Sequence, residues 1–381
     1  MNDGFLGVLR LAFVALQNIS FAIVVGALLS DTWLSRRVSR WQTRLSWRLL
    51  LTSRIASFAV LFFNASAFWI HCALMNESTL GEAGAAVRSM LVATGFGHAW
   101  LAGTGFMLVV MVLSLAQRGH PIRFKRALWL ALAGVALSRS HAGHPVDAGV
   151  LSVPVWIDWF HLFAISVWVG LVLVTSYVVL PRMFSVPVPE RANSSAFVQS
   201  LSDAATVALV ILFITGAYNG WRGVNTPESL LMSTYGQVLL LKFALVLVAA
   251  GLGAHNRFIE MPRLLAALDE ASSDAAVRPL RRFWVVLRIE SVVLAGVIVA
   301  AAVLVSSPLP GISRAGASSP DSKLRMTSRA ASFKQRGKAP SLPAVSAQAW
   351  VASRPFTRNV RGSSPPVPAH APPQKEADLR G

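Results

Sequence analysis

The sequence predicts an all-α fold, namely a polytopic membrane helix bundle of eight transmembrane helices with a disordered C-terminal tail. Composition gives the first two reasons, since only 14% of the 381 residues are charged and 54% are hydrophobic. Ordinary soluble domains carry about 25% charged residues. The third reason is that the apolar residues come in long runs, most of which reach the ~20 residues that a helix needs to cross a ~30 Å hydrocarbon core.

Eight apolar segments precede the tail, and each predicts one membrane crossing. In chain order they are residues 5–30, 55–75, 89–117, 127–146, 154–180, 203–221, 236–254 and 284–305. The fourth is the weakest, because its apolar part ends at Leu137 and runs directly into Ser138-Arg139-Ser140-His141. We therefore divide the chain into an eight-span membrane domain, residues 1–311, and a tail, residues 312–381.

The tail is basic and rich in Pro and Ser. It holds 12 basic and 3 acidic residues, which is half of the net charge of +18. It has no sustained apolar period and cannot bury enough surface to offset its ordering entropy, so we expect it to be disordered. Because so much of the positive charge lies there and in short loops, no nucleic-acid partner is expected.

The charge between the apolar segments predicts an orientation. One set of alternate loops (31–54, 118–126, 181–202 and 255–283) holds seventeen basic residues, and the opposite loops hold three. Loops rich in Lys and Arg stay in the cytoplasm. Both termini are therefore expected outside. The multi-pass domain between them is expected to lie in the lipid bilayer.

Several classes of site are excluded by the sequence. The single cysteine, Cys72, excludes an internal disulfide framework and a cysteine-only metal cluster. There is no phosphate-binding glycine motif, nucleophile elbow or His-Glu-x-x-His motif. We therefore predict that the protein is not an enzyme and has no catalytic residues.

Histidines close to the outer ends of the segments are the main candidates for a site. A rise of ~1.5 Å per residue places His161 about 10 Å and His141 about 9 Å below the outer surface, with His144 just above His141. Polar side chains at such depth are costly unless they have partners, and they are functional candidates by default. Imidazole is also the commonest ligand of transition metals, so we predict a metal site formed by His141, His144 and His161.

Further groups are candidates for the surroundings of that site. Asp158 precedes His161 by three residues and can accept its second N–H, and Trp168 shares the face of His161. Five residues of the second and third segments are possible additional ligands, because thiolate and thioether favour Cu(I) and imidazole accepts either copper state. They are His71, Cys72, Met75, Met90 and His98.

An ordered series of short motifs resembles the copper resistance protein D family of bacterial inner-membrane proteins. The series is Ser140-His141-Ala-Gly-His144, Asp158-Trp-Phe-His161, Trp168-Val-Gly170, Thr215-Gly216, Thr234-Tyr235-Gly236 with Leu239-Leu240-Leu241-Lys242, Asn256-Arg257, Pro262 and Arg288-Ile-Glu290. The order and spacing of these motifs match over about residues 135–310, and the layout of the apolar segments extends the likeness to the N-terminus. The 70-residue basic tail is not part of the family pattern.

The resemblance implies an eight-span inner-membrane protein that handles copper and contributes to copper resistance. It implies import of copper ions from periplasm to cytoplasm and a periplasmic copper-carrier protein as partner. In such a membrane, the orientation expected from the basic loops puts both termini in the periplasm. The residues alone leave two alternatives open. Paired histidines on neighbouring helices also suit haem iron in a membrane electron-transfer protein, and the polar residues could serve only to join helices in a non-metal scaffold.

Overall fold

The fold was obtained as a computed structural model, and the structure describes residues 3–34, 40–116, 122–184, 191–224, 227–269 and 277–306. Contacts divide the chain into one unit of residues Met1–Ser318 and a second unit of residues Ser319–Gly381. The predicted disorder of the tail, residues 312–381, lies outside the described residues.

All regular elements in the described part of the chain are helices, which confirms the predicted all-α fold. Twelve α-helices follow one another in that part. They are α1 (Asp3–Leu34), α2 (Arg40–Met75), α3 (Gly84–Ala93), α4 (Gly95–Ala116), α5 (Ile122–His141), α6 (Val153–Val174), α7 (Leu180–Met183), α8 (Arg191–Val224), α9 (Pro227–Met232), α10 (Thr234–His255), α11 (Met261–Asp269) and α12 (Val277–Ser306).

Seven stretches of the described helices are long and apolar enough to cross a membrane. They are Gly4–Leu34, Trp41–Met75, Gly95–Ala116, Val153–Met183, Ser194–Val224, Thr234–Leu268 and Val277–Ser306. The fourth predicted segment forms α5, which has 20 residues but carries Lys125, Arg126 and Arg139. The predicted number of eight spans is therefore approximate, and α5 is the segment whose charge sets it apart.

The third predicted segment is interrupted at Thr94, where the backbone is extended between α3 and α4. The Thr94 hydroxyl donates to the carbonyl of Met90 and accepts the backbone N–H of Gly97, so it caps the start of α4. A Cβ at Gly97 would collide with the backbone of Met90. Gly97 thus lets α4 begin directly against α3, and His98 lies in the first turn of α4.

The crossing of α1 and α6 lies at the centre of the bundle. Gly26 and Gly170 meet there, and a Cβ on either residue would collide with the backbone of the other helix. Small residues allow such close approach in membrane bundles. Residues of α1, α6, α8 and α12 form the main apolar core around this crossing, with Trp168 among its largest buried side chains.

Two π turns interrupt the long helices, and each ends two residues before a proline. Residues Thr175–Val179 join α6 to α7, which contains Pro181, and residues Asn256–Glu260 join α10 to α11, which contains Pro262. A proline has no N–H to donate and its ring displaces the carbonyl four residues earlier. The wider π turn accommodates both effects, and such turns are frequent at functional sites.

Candidate functional site

His161 of α6 is held by a threonine of α8. Its Nδ1 lies 3.0 Å from Oγ1 of Thr215, and that hydroxyl donates its own proton to the carbonyl oxygen of Ile211 at 2.6 Å. The hydroxyl can then only accept from the imidazole, so Nδ1 carries the proton. The lone pair of a neutral His161 is therefore on Nε2, which is the form that binds a metal ion.

Charged side chains of α5 and α10 lie near His161. The Asp158 carboxylate interacts electrostatically with Arg139 of α5 and with Lys242 of α10. Lys242 also interacts electrostatically with His161. We refer to a group of five residues as the His161 cluster. It consists of Arg139, Asp158, His161, Thr215 and Lys242.

The helix register explains why α6 and α10 contribute to one cluster. His161 lies eight residues after the start of α6, and Lys242 lies eight residues after the start of α10. Both side chains are therefore ~12 Å along their helices. Arg139 is near the end of α5, which lies next to α6, and it donates to the side-chain oxygen of Asn18 on α1. The cluster thus joins α5, α6, α8 and α10, with α1 holding Arg139.

His141 and His144 do not share these partners. The Nδ1 of His141 lies 2.8 Å from the carbonyl oxygen of Leu137, and its Nε2 lies 2.9 Å from that of Val150. A metal ion would have to displace one of these carbonyls to reach the ring. His144 starts a short 3₁₀ helix, His144–Ala148, and its side chain lies outside the described part of the structure.

The predicted convergence of His141, His144 and His161 on one metal ion therefore remains a prediction. Among the described side chains, no group of three or more His, Cys, Asp and Glu residues is placed to hold a metal ion. The described acceptor of the His161 Nδ1–H is the hydroxyl of Thr215 on α8. The sequence suggests Asp158 of α6 as that acceptor, so here the partner comes from a different helix and residue.

The possible additional ligands fall into separate environments. His71 accepts a hydrogen bond from Arg10 at its Nδ1, 2.9 Å away, so its Nε2 carries the proton and offers no lone pair. The thiol of Cys72, a fully buried residue, donates to the Met90 sulfur at 3.6 Å. Met75 is 65% exposed, and His98 Nε2 lies 3.2 Å from the carbonyl oxygen of Val92. Only Cys72 and Met90 are shown in contact.

Trp168, which the sequence suggests as a neighbour of the histidine site, forms its described hydrogen bond with a residue outside the His161 cluster. Its Nε1 donates to Glu290 Oε1 of α12 at 2.9 Å. Trp168 lies seven residues after His161 on α6, which is about 10 Å farther along the helix axis. The face that carries His161 thus continues to a second buried polar group.

Two family models match the chain on either side of α6. The copper resistance protein D-like N-terminal domain matches residues 1–153, and copper resistance protein D matches residues 195–304. The chain belongs to the copper resistance protein D family. This confirms the resemblance found in the sequence motifs. Residues 154–194, which include Asp158, His161 and Trp168, lie between the two matched stretches.

One curated protein is also similar to this family member. It is the copper transport protein CutJ of Bacillus subtilis (strain 168), which is 27% identical over 173 residues. The matched stretch covers 44% of this chain and 31% of CutJ, so the chain spans about a third of the length of that relative. No solved structure matches the chain.

Three members of the His161 cluster were missed by sequence reasoning as parts of the site. In the sequence, Arg139 is only a charge after the apolar part of the fourth segment, and Thr215 and Lys242 are only residues of the family-like motifs. Hydropathy gives the depth of a residue in a span and not the direction in which its side chain points. A threonine followed by glycine inside an apolar span, as at Thr215-Gly216, was the available signal for a contact between helices.

Proposed function

We propose that this protein carries copper ions across the bacterial inner membrane, from periplasm to cytoplasm, and thereby contributes to copper resistance. The observation that supports it best is the Thr215 hydrogen bond, which leaves His161 Nε2 as a metal ligand inside a membrane-spanning helix. Imidazole nitrogen accepts both copper oxidation states. Membership of the copper resistance protein D family supports copper as the metal.

The proposed entrance is the end of the bundle where α5 ends and α6 begins. His141, His144 and the link to Val153 lie at this end, ~12 Å along α6 from His161. The positive-inside rule applied to the basic loops supports a periplasmic position for this end and for both termini. A periplasmic copper-carrier protein would deliver the ion there.

The charges of the His161 cluster suit transient binding of a cation. Arg139 and Lys242 supply two positive charges, and Asp158 supplies one negative charge. A copper ion at His161 Nε2 therefore enters a site with a net charge of +1, so its binding rests on the nitrogen ligand and is weakened by the net charge. Conduction requires binding that is favourable but weak enough for release.

The direct test is replacement of His161 in the full chain. His161→Ala and His161→Gln are compared with His255→Ala, which removes an imidazole at the far end of α10, outside the cluster. Cells with equal amounts of each variant in the membrane are exposed to copper, and their copper content is measured. We expect reduced uptake for both His161 variants and normal uptake for His255→Ala.

Uptake that is unchanged in the His161 variants would contradict the proposal. Two measurements on the purified protein discriminate the haem-binding and scaffold alternatives. A Soret band in the absorbance spectrum of the purified wild-type protein would favour haem binding. Absence of Cu(I) binding in equilibrium dialysis would favour the scaffold.

A further inference from the structure

A second polar group lies deeper in the bundle, around Glu290 of α12. Glu290 is only 2% exposed, and its Oε1 accepts the indole N–H of Trp168 at 2.9 Å. The same oxygen faces Gly253 of α10, where an added Cβ would lie 3.4 Å from it. Asn256 follows Gly253 by three residues, begins the π turn after α10, and lies beside the carboxylate. We call Trp168, Gly253, Asn256 and Glu290 the Glu290 cluster.

The π turns beside this cluster contain buried polar groups that lack hydrogen-bond partners. Within the described residues, the hydroxyls of Thr175 and Ser176 and both amide atoms of Asn256 meet no partner at hydrogen-bond geometry. Elsewhere in the bundle, Ser166 and Thr215 donate to the carbonyl four residues earlier. Native proteins rarely leave such groups unsatisfied, and an ion or water is a usual explanation.

The charged groups on the neighbouring elements have other partners. Glu260 at the end of the α10 π turn pairs with Arg263 at 3.2 Å and with His255 at 3.5 Å. Arg288 of α12 stacks on Trp284 at 4.0 Å and on Tyr177 at 5.0 Å. On α10, Lys242 interacts with Asp158 and lies eleven residues before Gly253, ~16 Å away along the axis.

No Lys, Arg or His among the described residues forms an ion pair with Glu290. An ionised carboxylate buried without a counter-charge is very unfavourable, so such a group takes up a cation or a proton. A carboxylate oxygen suits a hard cation better than Cu(I). With one carboxylate only, the simplest such cation is the proton.

We infer that Glu290 is a proton-binding site that is protonated in the resting protein and releases its proton when a copper cation passes. The released proton goes to water at the π turns, and the carboxylate then balances the charge of the cation. After the cation leaves, the carboxylate takes a proton back from water. The resting protonation stands on the geometry alone, whereas the exchange with copper rests on the proposed function.

The first arm of the test measures protonation in the absence of copper. The full chain is reconstituted in lipid bilayers at neutral pH, and the infrared C=O band of a protonated carboxyl group is recorded for wild type, Glu290→Gln and Glu260→Gln. We expect the band to be lost in Glu290→Gln and retained in the matched variant Glu260→Gln. Should Glu290→Gln not fold, Glu290→Asp replaces it and is expected to shift the band.

A band that is unchanged in the Glu290 variants would overturn the inference. The infrared measurement is made in choline chloride and repeated in sodium chloride, which tests whether Glu290 binds sodium instead of a proton. Loss of the wild-type band in sodium chloride would also overturn the proton assignment. The second arm adds Cu(I), which is expected to diminish the wild-type band. Failure of the wild-type protein to bind copper at all would count against the proposed function, and the result of the first arm would still decide the protonation of Glu290.

Discussion

His161 on α6 and Thr215 on α8 are joined by a hydrogen bond of 3.0 Å, in which the imidazole Nδ1–H donates to the threonine hydroxyl. The direction of this bond follows from the second bond of that hydroxyl, to the carbonyl of Ile211. A side chain on one helix thus sets the tautomer of a histidine on another. The relationship makes Thr215 as testable as the histidine itself.

Thr215→Val is expected to weaken copper binding at His161. The substitution keeps the shape of the side chain and removes the acceptor that holds Nδ1–H, and loss of such a partner typically lowers metal affinity ~10–100-fold. Thr215→Ser retains the hydroxyl and serves as the matched control. Competition with a Cu(I) chelator measures the affinity of each purified variant. Equal affinities for Thr215→Val and wild type would show that His161 does not depend on this hydrogen bond for copper.

Asp158→Asn is expected to destabilise the bundle. It leaves Arg139 and Lys242 without the anion that interacts with them, so we expect a lower unfolding temperature. The double variant Asp158→Asn with Lys242→Met removes one charge of each sign and is expected to recover part of the loss. Thermal unfolding in a mild detergent measures both. A double variant less stable than Asp158→Asn would contradict this electrostatic coupling.

The apolar helices of this fold were predictable from hydropathy, but the break between α3 and α4 was not. The apolar run 89–117 shows no break, yet Thr94 ends α3 and caps α4. Hydropathy averaged over a window of residues does not detect a single residue such as Thr94, whose side chain caps the next helix. Pro181 and Pro262 were available signals for the two π turns, because a proline inside an apolar run disturbs the helix before it.

The candidate site was predicted in part for a related reason. Depth along a span follows from residue number, so His161 and Asp158 could be placed near one end of the bundle from the sequence. Rotation about the helix axis and the identity of the neighbouring helix depend on packing. Packing brings three pairs into hydrogen-bond contact, namely His161 with Thr215, His71 with Arg10 and Trp168 with Glu290. None of these three pairs is close in sequence.

Gly170→Ala is expected to disturb the crossing of α1 and α6. The added methyl group would collide with the backbone at Ala22, and overpacking of this kind costs about 1–3 kcal/mol. Gly7→Ala is the control, because a Cβ at Gly7 meets nothing within 4 Å. A lower unfolding temperature for Gly170→Ala and an unchanged or higher one for Gly7→Ala is the expected result. If Gly170→Ala were as stable as wild type, the two helices would have to separate more easily than their contact suggests.

Cys72 and Met90 are expected to bind Cu(I) together, since their sulfur atoms lie 3.6 Å apart and both are soft ligands. Met90→Leu removes the thioether at nearly constant volume and is expected to weaken Cu(I) binding by the purified protein. Met75→Leu is the matched control, because Met75 is 65% exposed and its replacement should leave the affinity unchanged. Competition with a Cu(I) chelator measures the affinity of each variant. Equal affinities for Met90→Leu and wild type would remove this pair from the copper path.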